Sequence, residues 1–78
     1  MKIGDCFKIK MVRKDSKDVI YEVLTISSDD QWVSAKILHP VLLADKLNPM
    51  GAIRIHIGSL DIEVLGNNED EAIRAIYG

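Results

Sequence analysis

The side chains that could perform nucleophilic, acid–base or metal chemistry are few and dispersed in this sequence. They are one thiol, two imidazoles and a pair of carboxylates: Cys6, His39, His56, Asp61 and Glu63. A nucleophilic cysteine needs a neighbouring base, whereas Cys6 adjoins Phe7 at the start of an alternating segment, where a small packed residue is the simpler interpretation. A zinc site needs more ligands than one thiol and two imidazoles offer. The sequence therefore predicts no catalytic residue, no metal site and no cofactor.

The remaining polar candidates have ordinary structural interpretations. His56 lies between Ile55 and Ile57, and an outward-facing histidine of this kind is typical of a solvated strand. Asp61 and Glu63 share one face of a predicted strand, as solvated acids commonly do. The five glycines are scattered and form no phosphate-binding loop. We expect a protein that is not an enzyme.

Composition limits the kind of protein that this chain can form. Its 78 residues, 47% hydrophobic and 28% charged, are typical of one small globular domain spanning residues 1–78. One cysteine allows no intramolecular disulfide. The opening segment lacks the apolar stretch of a signal peptide, and the longest apolar run, PVLLA, is far shorter than a membrane span. We expect a cytoplasmic protein without a membrane partner.

Alternating apolar residues predict an all-β domain. The segment CFKIKMV places Phe7, Ile9 and Met11 on one face and lysines on the other, which indicates a half-buried strand. Similar patterns predict five antiparallel strands near residues 5–12, 19–27, 32–39, 52–57 and 60–65. The second is apolar on both faces, so it is either a central strand or one that bends across two sheets.

The segment GAIRIHIGSLDIEVLG, residues 51–66, cannot be one regular strand. Its first three apolar side chains occupy odd positions and its next three even positions, so an unbroken strand would place the two trios on opposite faces. A bulge or tight turn near Gly58 would restore one common face. We therefore expect a corner within residues 57–60 that leads into a second, roughly orthogonal sheet.

The C-terminal residues carry the signals of a helix at about 69–77. Asn68 and Glu71 have the spacing of a capping box, and three acids occupy the first turn, where the helix dipole favours them. Ile73, Ile76 and Tyr77 form an apolar stripe. So short a helix must dock on the rest of the domain to persist, and an open end of a barrel is one place for it.

The segment HPVLLADKLNPMG, residues 39–51, has several interpretations. Pro40 suits the first position of a short helix through Leu47, but a strand could also continue past Pro40 at a sheet edge. An irregular loop with one helical turn is the form that we favour. Asn48 to Gly51 has the residue order of a type I turn.

The five short strands, the charged first turn RKDSKD and the glycine corner at Gly58-Ser59 together resemble the Src-homology-3-like small β-barrels. The segment GDCFKIK is also similar to the first strand of ribosome- and transcription-associated members. The resemblance covers about residues 3–65, and it implies a closed five-stranded barrel with a 3₁₀ turn before the last strand. The helix at about 67–77 would then be an addition to that barrel.

A protein-interaction module is the function that these features favour. Trp32 lies on the outward parity of its strand, and tryptophan is enriched among interface anchors. The predicted anchors are Trp32, Leu38, Val41, Leu42, Leu43 and Leu47. They could bind a protein partner or form a homodimer, although the helix or the 40–47 segment could instead cover Trp32, and that segment could cap the domain's own core.

Nucleic-acid binding, or association with a nucleic-acid machine, is the alternative, since the N-terminal strand is basic. Its candidate phosphate contacts are Lys8, Lys10, Arg13, Lys14 and Lys17. The acidic pI of about 5.5 and the absence of a basic face interleaved with aromatic residues argue against this alternative.

Overall fold

The computed structural model describes residues 1–10 and 19–78. In chain order the elements are β1 (Cys6–Ile9), β2 (Ile20–Ile26), β3 (Trp32–His39), α1 (Val41–Leu47), a 3₁₀ turn (Asn48–Met50), β4 (Ile53–His56), β5 (Ile62–Gly66) and α2 (Glu69–Tyr77). The predicted fold, five antiparallel strands followed by a C-terminal helix, is confirmed. Residues 11 and 12 of the predicted first strand lie outside the described residues.

The strands form one sheet in the order β4-β3-β2-β1-β5, and neighbouring strands are antiparallel. The two edge strands, β4 and β5, form no ladder with each other within the described ranges. The sheet is therefore not closed into the expected barrel, and the last strand extends the first sheet instead of starting a second one.

A turn separates β4 from β5, as the change in parity predicts. The chain turns at Ile57 and Gly58. A backbone hydrogen bond holds each end of this connection: Ile57 N–H donates to Gln31 C=O (2.8 Å), and Lys10 N–H donates to Asp61 C=O (2.8 Å). Four strand-to-strand steps of about 20–25° rotate the edge strands by roughly 80–100° relative to each other. That rotation lets a short corner connect the two opposite edges.

The main core lies on one face of the curled sheet. It contains five buried side chains from four strands: Phe7, Val23, Val33, Ala35 and Ile55. Ile53, Ile57 and Ile62 pack against it, as the corner hypothesis requires. Leu60 and Val64 do not follow that hypothesis, because they remain 42% and 52% exposed near the corner and on the edge strand.

A second core lies on the opposite face, because Cys6 and Phe7 are consecutive in β1 and project to opposite sides. Its buried members are Cys6, Ile20 and Ala72, with Leu38, Leu65, Ile73 and Ile76 packed around them. Helix α2 thus covers the outer face of β5, β1 and β2 and not an open end of a barrel. Tyr77, expected in this contact, is 56% exposed, and its ring centroid lies 4.8 Å from that of His39.

The segment after β3 forms a helix and not the irregular loop that we favour from its sequence. Pro40 is the N-cap of α1, and Gly51, with φ of 111°, ends the following 3₁₀ turn by donating its N–H to Asn48 C=O (3.1 Å). The Asn48 side chain accepts the Ile37 N–H (2.9 Å) and donates to the Ile37 C=O (2.8 Å). It therefore takes the place of a ladder partner where β4 no longer accompanies β3.

Candidate sheet-face binding site

The part of the outer sheet face that α2 leaves uncovered carries an exposed tryptophan. Trp32 opens β3 and is paired in register with His56 of β4, and Ser34 is paired in the same way with Arg54. Trp32 is 39% exposed, as the outward parity predicts. We call the surface formed by Trp32, Arg54 and His56 the Trp32 face.

Two neighbours hold the Trp32 ring in place. The His56 ring meets it edge-on, with 4.7 Å between centroids, and the guanidinium carbon of Arg54 lies 5.1 Å from its centroid. The second distance is within the range of a cation–π contact. Trp32 is thus a large apolar surface presented in a fixed orientation beside a cation.

Polar groups of the adjacent turns surround His56. Its Nδ1 lies 2.7 Å from the hydroxyl oxygen of Ser59, which also donates to the His56 C=O (3.4 Å). Asp29, in the β2–β3 turn, accepts the Ser27 hydroxyl and the Gln31 N–H, and both bonds lower the pKa of its carboxyl group; the nearby imidazole of His56 lowers it further. These contacts fix the end of the sheet at which the Trp32 face lies.

Two ion pairs lie elsewhere on this outer face among the described residues. Lys8 lies 3.5 Å from Glu63, and Lys36 lies 3.9 Å from Glu22. Across residues 1–10 and 19–78, Arg54 forms no ion pair with an acidic side chain. Arg54 is therefore a cation of the outer face without an acidic partner among those residues.

The basic N-terminal segment is described only in part. Lys8 is one half of the pair with Glu63, and Lys10 is exposed beyond the end of β1. Arg13, Lys14 and Lys17 lie outside the described residues.

The apolar residues of the 40–47 segment belong to a different surface. Val41 and Leu42 are 59% and 79% exposed on α1, whereas Leu43 and Leu47 are half-buried. An open groove of about 400 Å³ runs beside α1, lined by Val19, Pro40, Leu42, Leu43 and Lys46. Strand β3 begins at Trp32, and α1 follows the other end of that strand. About 23 Å of strand therefore separates the Trp32 face from the surface of α1. The structure does not bring the predicted anchors into one patch.

Leu38 differs from the other predicted anchors because it packs against the second core beside α2.

The two residues of the Trp32 face that the sequence did not identify as site residues are Arg54 and His56. The alternation along β4 gave part of this information, since both residues alternate with the isoleucines that pack in the main core and must therefore face outward. Their position beside Trp32 depends on the β3–β4 register, which the sequence alone does not give.

Cys6, the only thiol, is fully buried, and its Sγ lies 3.7 Å from the Gly4 C=O. Burial, reinforced by the charge of Glu22 and other acids, raises the pKa of this thiol to about 11. It is therefore protonated at neutral pH, which makes it a poor nucleophile. Among the described residues, no group of three or more histidine, cysteine or acidic side chains is arranged to hold a metal ion.

No helix in the described part of the chain has the length and apolar character needed to cross a membrane. Comparison with known proteins finds no protein-family model that matches this chain. It also finds no match among curated proteins or solved structures. What the Trp32 face can do therefore follows from its own residues and geometry.

Proposed function

We propose that this chain is a non-enzymatic binding module that recognises a protein partner through the Trp32 face. The observation that carries the proposal is the exposed Trp32 ring, held between His56 and Arg54 on a part of the outer sheet face that α2 does not cover. Tryptophan and arginine are among the residues most enriched at interface anchors. A fixed ring also loses little conformational freedom when a partner covers it.

A nucleic-acid strand is the second candidate partner. A base can stack on an exposed aromatic ring while arginine contacts a phosphate, and Trp32 with Arg54 offers both groups. The net charge of −2 opposes such binding at long range, and Lys8 lies against an acid of the same chain. These charges disfavour a strand of consecutive phosphates and favour a protein partner, for which one cation can suffice.

A pull-down from host extract with the purified protein tests this function. We expect the wild-type chain to retain a protein that survives nuclease treatment and moderate salt, since an apolar interface is little affected by ionic screening. Trp32→Ala should lose this protein. Leu42→Ser is the matched control, because it removes an exposed apolar side chain at the other end of β3.

Two outcomes would contradict the proposal. Retention by Trp32→Ala at the wild-type level would exclude the Trp32 face as the binding surface. Loss of the retained material after nuclease treatment, together with binding that weakens steeply as salt rises, would show that the partner is a nucleic acid and not a protein. Circular dichroism of both variants establishes that the sheet is intact.

We also infer a relation to the Src-homology-3-like barrels and a cytoplasmic location. Support for the first comes from the strongly curled five-stranded sheet and the tight corner before its last strand. The second is supported by a single cysteine, reduced and buried, which fits a reducing compartment.

A further inference from the structure

The outer edge of β4 presents unpaired backbone groups directly beside the Trp32 face. In an antiparallel ladder, alternate residues bond to the partner strand and the others direct their N–H and C=O away from it. Ile57 N–H bonds to Gln31 C=O, which places Ile55 and Ile53 at bonded positions opposite Val33 and Ala35. The N–H and C=O groups of Arg54 and His56 must then point to the free side of β4.

The hydrogen bonds of Asn48 support the same alternation of bonded and free residues. Asn48 pairs with Ile37, which continues the series Val33, Ala35, Ile37 along the side of β3 that faces β4. Within the described ranges, β4 pairs only with β3, and the sheet order makes it an edge strand. Its free side therefore offers the N–H and C=O of Arg54 and the N–H of His56, whereas the His56 C=O already accepts the Ser59 hydroxyl (3.4 Å).

The side chains of these same two residues determine what can be added there. In an added strand, residues opposite Arg54 and His56 would project from the sheet on the face that carries Trp32. An acidic side chain opposite Arg54 would meet a cation that has no acidic partner of its own within the described chain. A second β4 strand is a poor occupant, because antiparallel pairing would bring Arg54 opposite Arg54 or His56 of the other copy.

We infer that β4 accepts an extended acidic peptide segment as a sixth strand, which bonds to the backbone of Arg54 and His56 and places an acidic side chain opposite Arg54. The inference rests on the proposed function, since it specifies how the partner of the Trp32 face is recognised. Strand addition of this type gives affinity through the main chain and specificity through alternate side chains.

The test uses a labelled synthetic heptapeptide of alternating glutamate and valine, with its lysine analogue as the control. We expect the glutamate peptide to bind at a concentration of at most about 1 mM and to bind at least about tenfold more tightly than the lysine peptide. Arg54→Glu should reverse this preference. N-methylation of one backbone nitrogen that faces β4 should abolish binding, whereas methylation of the next nitrogen along should not.

Amide hydrogen exchange gives a readout that side-chain attraction alone would not change. In the free protein we expect rapid exchange at Arg54 and His56 and slower exchange at Ile55, whose N–H is directed to β3. The glutamate peptide should slow exchange at Arg54 and His56.

Unchanged exchange at both residues, equal binding of the two methylated peptides or absence of binding would overturn the strand-addition inference. The proposed function has a separate outcome, because Trp32→Ala can still lose its protein partner in the pull-down when the peptide result is negative. If the bare protein self-associates and the peptide does not compete, a second copy is the occupant and the inference is wrong.

Discussion

Adjacent residues of β4 have opposite roles, as Ile55 and Arg54 illustrate. Ile55 is 6% exposed in the main core, while Arg54 lies on the outer face against Trp32. Truncation of Ile55 to alanine should lower the free energy of unfolding by about 2–4 kcal/mol, because it leaves a cavity among packed side chains. That is a large part of the roughly 5 kcal/mol expected for so small a domain.

Urea unfolding measures this effect, with Leu42→Ala as the control. Leu42 is 79% exposed, so its truncation should change the free energy of unfolding by less than about 0.5 kcal/mol. Equal midpoints for the two variants would mean that the two faces of β4 are reversed.

The buried thiol of Cys6 predicts a loss of stability at high pH. In the unfolded chain this thiol releases its proton as the pH passes its ordinary pKa of 9.0, whereas the native thiol keeps its proton up to a pH of about 11. The unfolded state therefore binds fewer protons between these values, and the free energy of unfolding falls as pH rises through them. Below pH 9 the contribution is constant.

The comparison of wild type with Cys6→Ala isolates this contribution. Urea unfolding should be measured near pH 8 and near the native thiol pKa of about 11. Between these two pH values the free energy of unfolding should fall less for the variant than for the wild type. Burial also raises the pKa of Tyr21, which acts in the same direction in both proteins. Identical pH dependence in the two proteins would contradict a raised thiol pKa.

At the scale of elements, one side-chain amide joins the 3₁₀ turn to β3. Asn48 satisfies both backbone groups of Ile37, a residue that is 2% exposed. Asn48→Ala should lower the free energy of unfolding by about 1–3 kcal/mol, because it leaves a buried donor and acceptor unpaired. Asn67→Ala, which alters an exposed asparagine, should have a much smaller effect in the same denaturation assay.

Helix α2 contains a matched pair of alanines for testing its contact with the sheet. Ala72 is fully buried in the second core and Ala75 is exposed. Glutamate is a good helix former, so Ala72→Glu tests the packing of α2 without weakening the helix itself. We expect a large fall in melting temperature for Ala72→Glu and little change for Ala75→Glu. Similar melting curves would mean that α2 does not stabilise the sheet.

Local patterns predict most of the elements of this fold. The alternation in β1 and β3, the parity change before β5 and the Asn68 cap of α2, whose side chain accepts the Glu71 N–H at 2.9 Å, can all be read from neighbouring residues. The sheet order and the register cannot, because they depend on contacts distant in sequence. For that reason the sequence pattern predicts one surface from Trp32 and the 40–47 segment, whereas the neighbours of Trp32 in the structure are Arg54 and His56.

On the scale of the whole molecule, stability depends on two cores on opposite faces of one thin sheet. A chain of this length buries only about 60% of its unfolded surface. Truncation after Gly66 should therefore lower the melting temperature or cause aggregation, because it uncovers Cys6, Ile20, Leu38 and Leu65. Deletion of Gly78 alone is the control, since it keeps the packed residues of α2. A truncated chain that melts like the full one would show that the main core suffices.

The position of Trp32 also gives the protein an optical property. It is the only tryptophan of the chain, and it lies on the proposed binding surface and outside both buried clusters. Its fluorescence therefore reports the water contact of that surface and not the state of the interior. A peptide or protein that lacks tryptophan adds nothing to the tryptophan emission band, so a shift of that band on mixing must come from Trp32. Occupancy of the sheet face can thus be followed in the unmodified protein, without a dye.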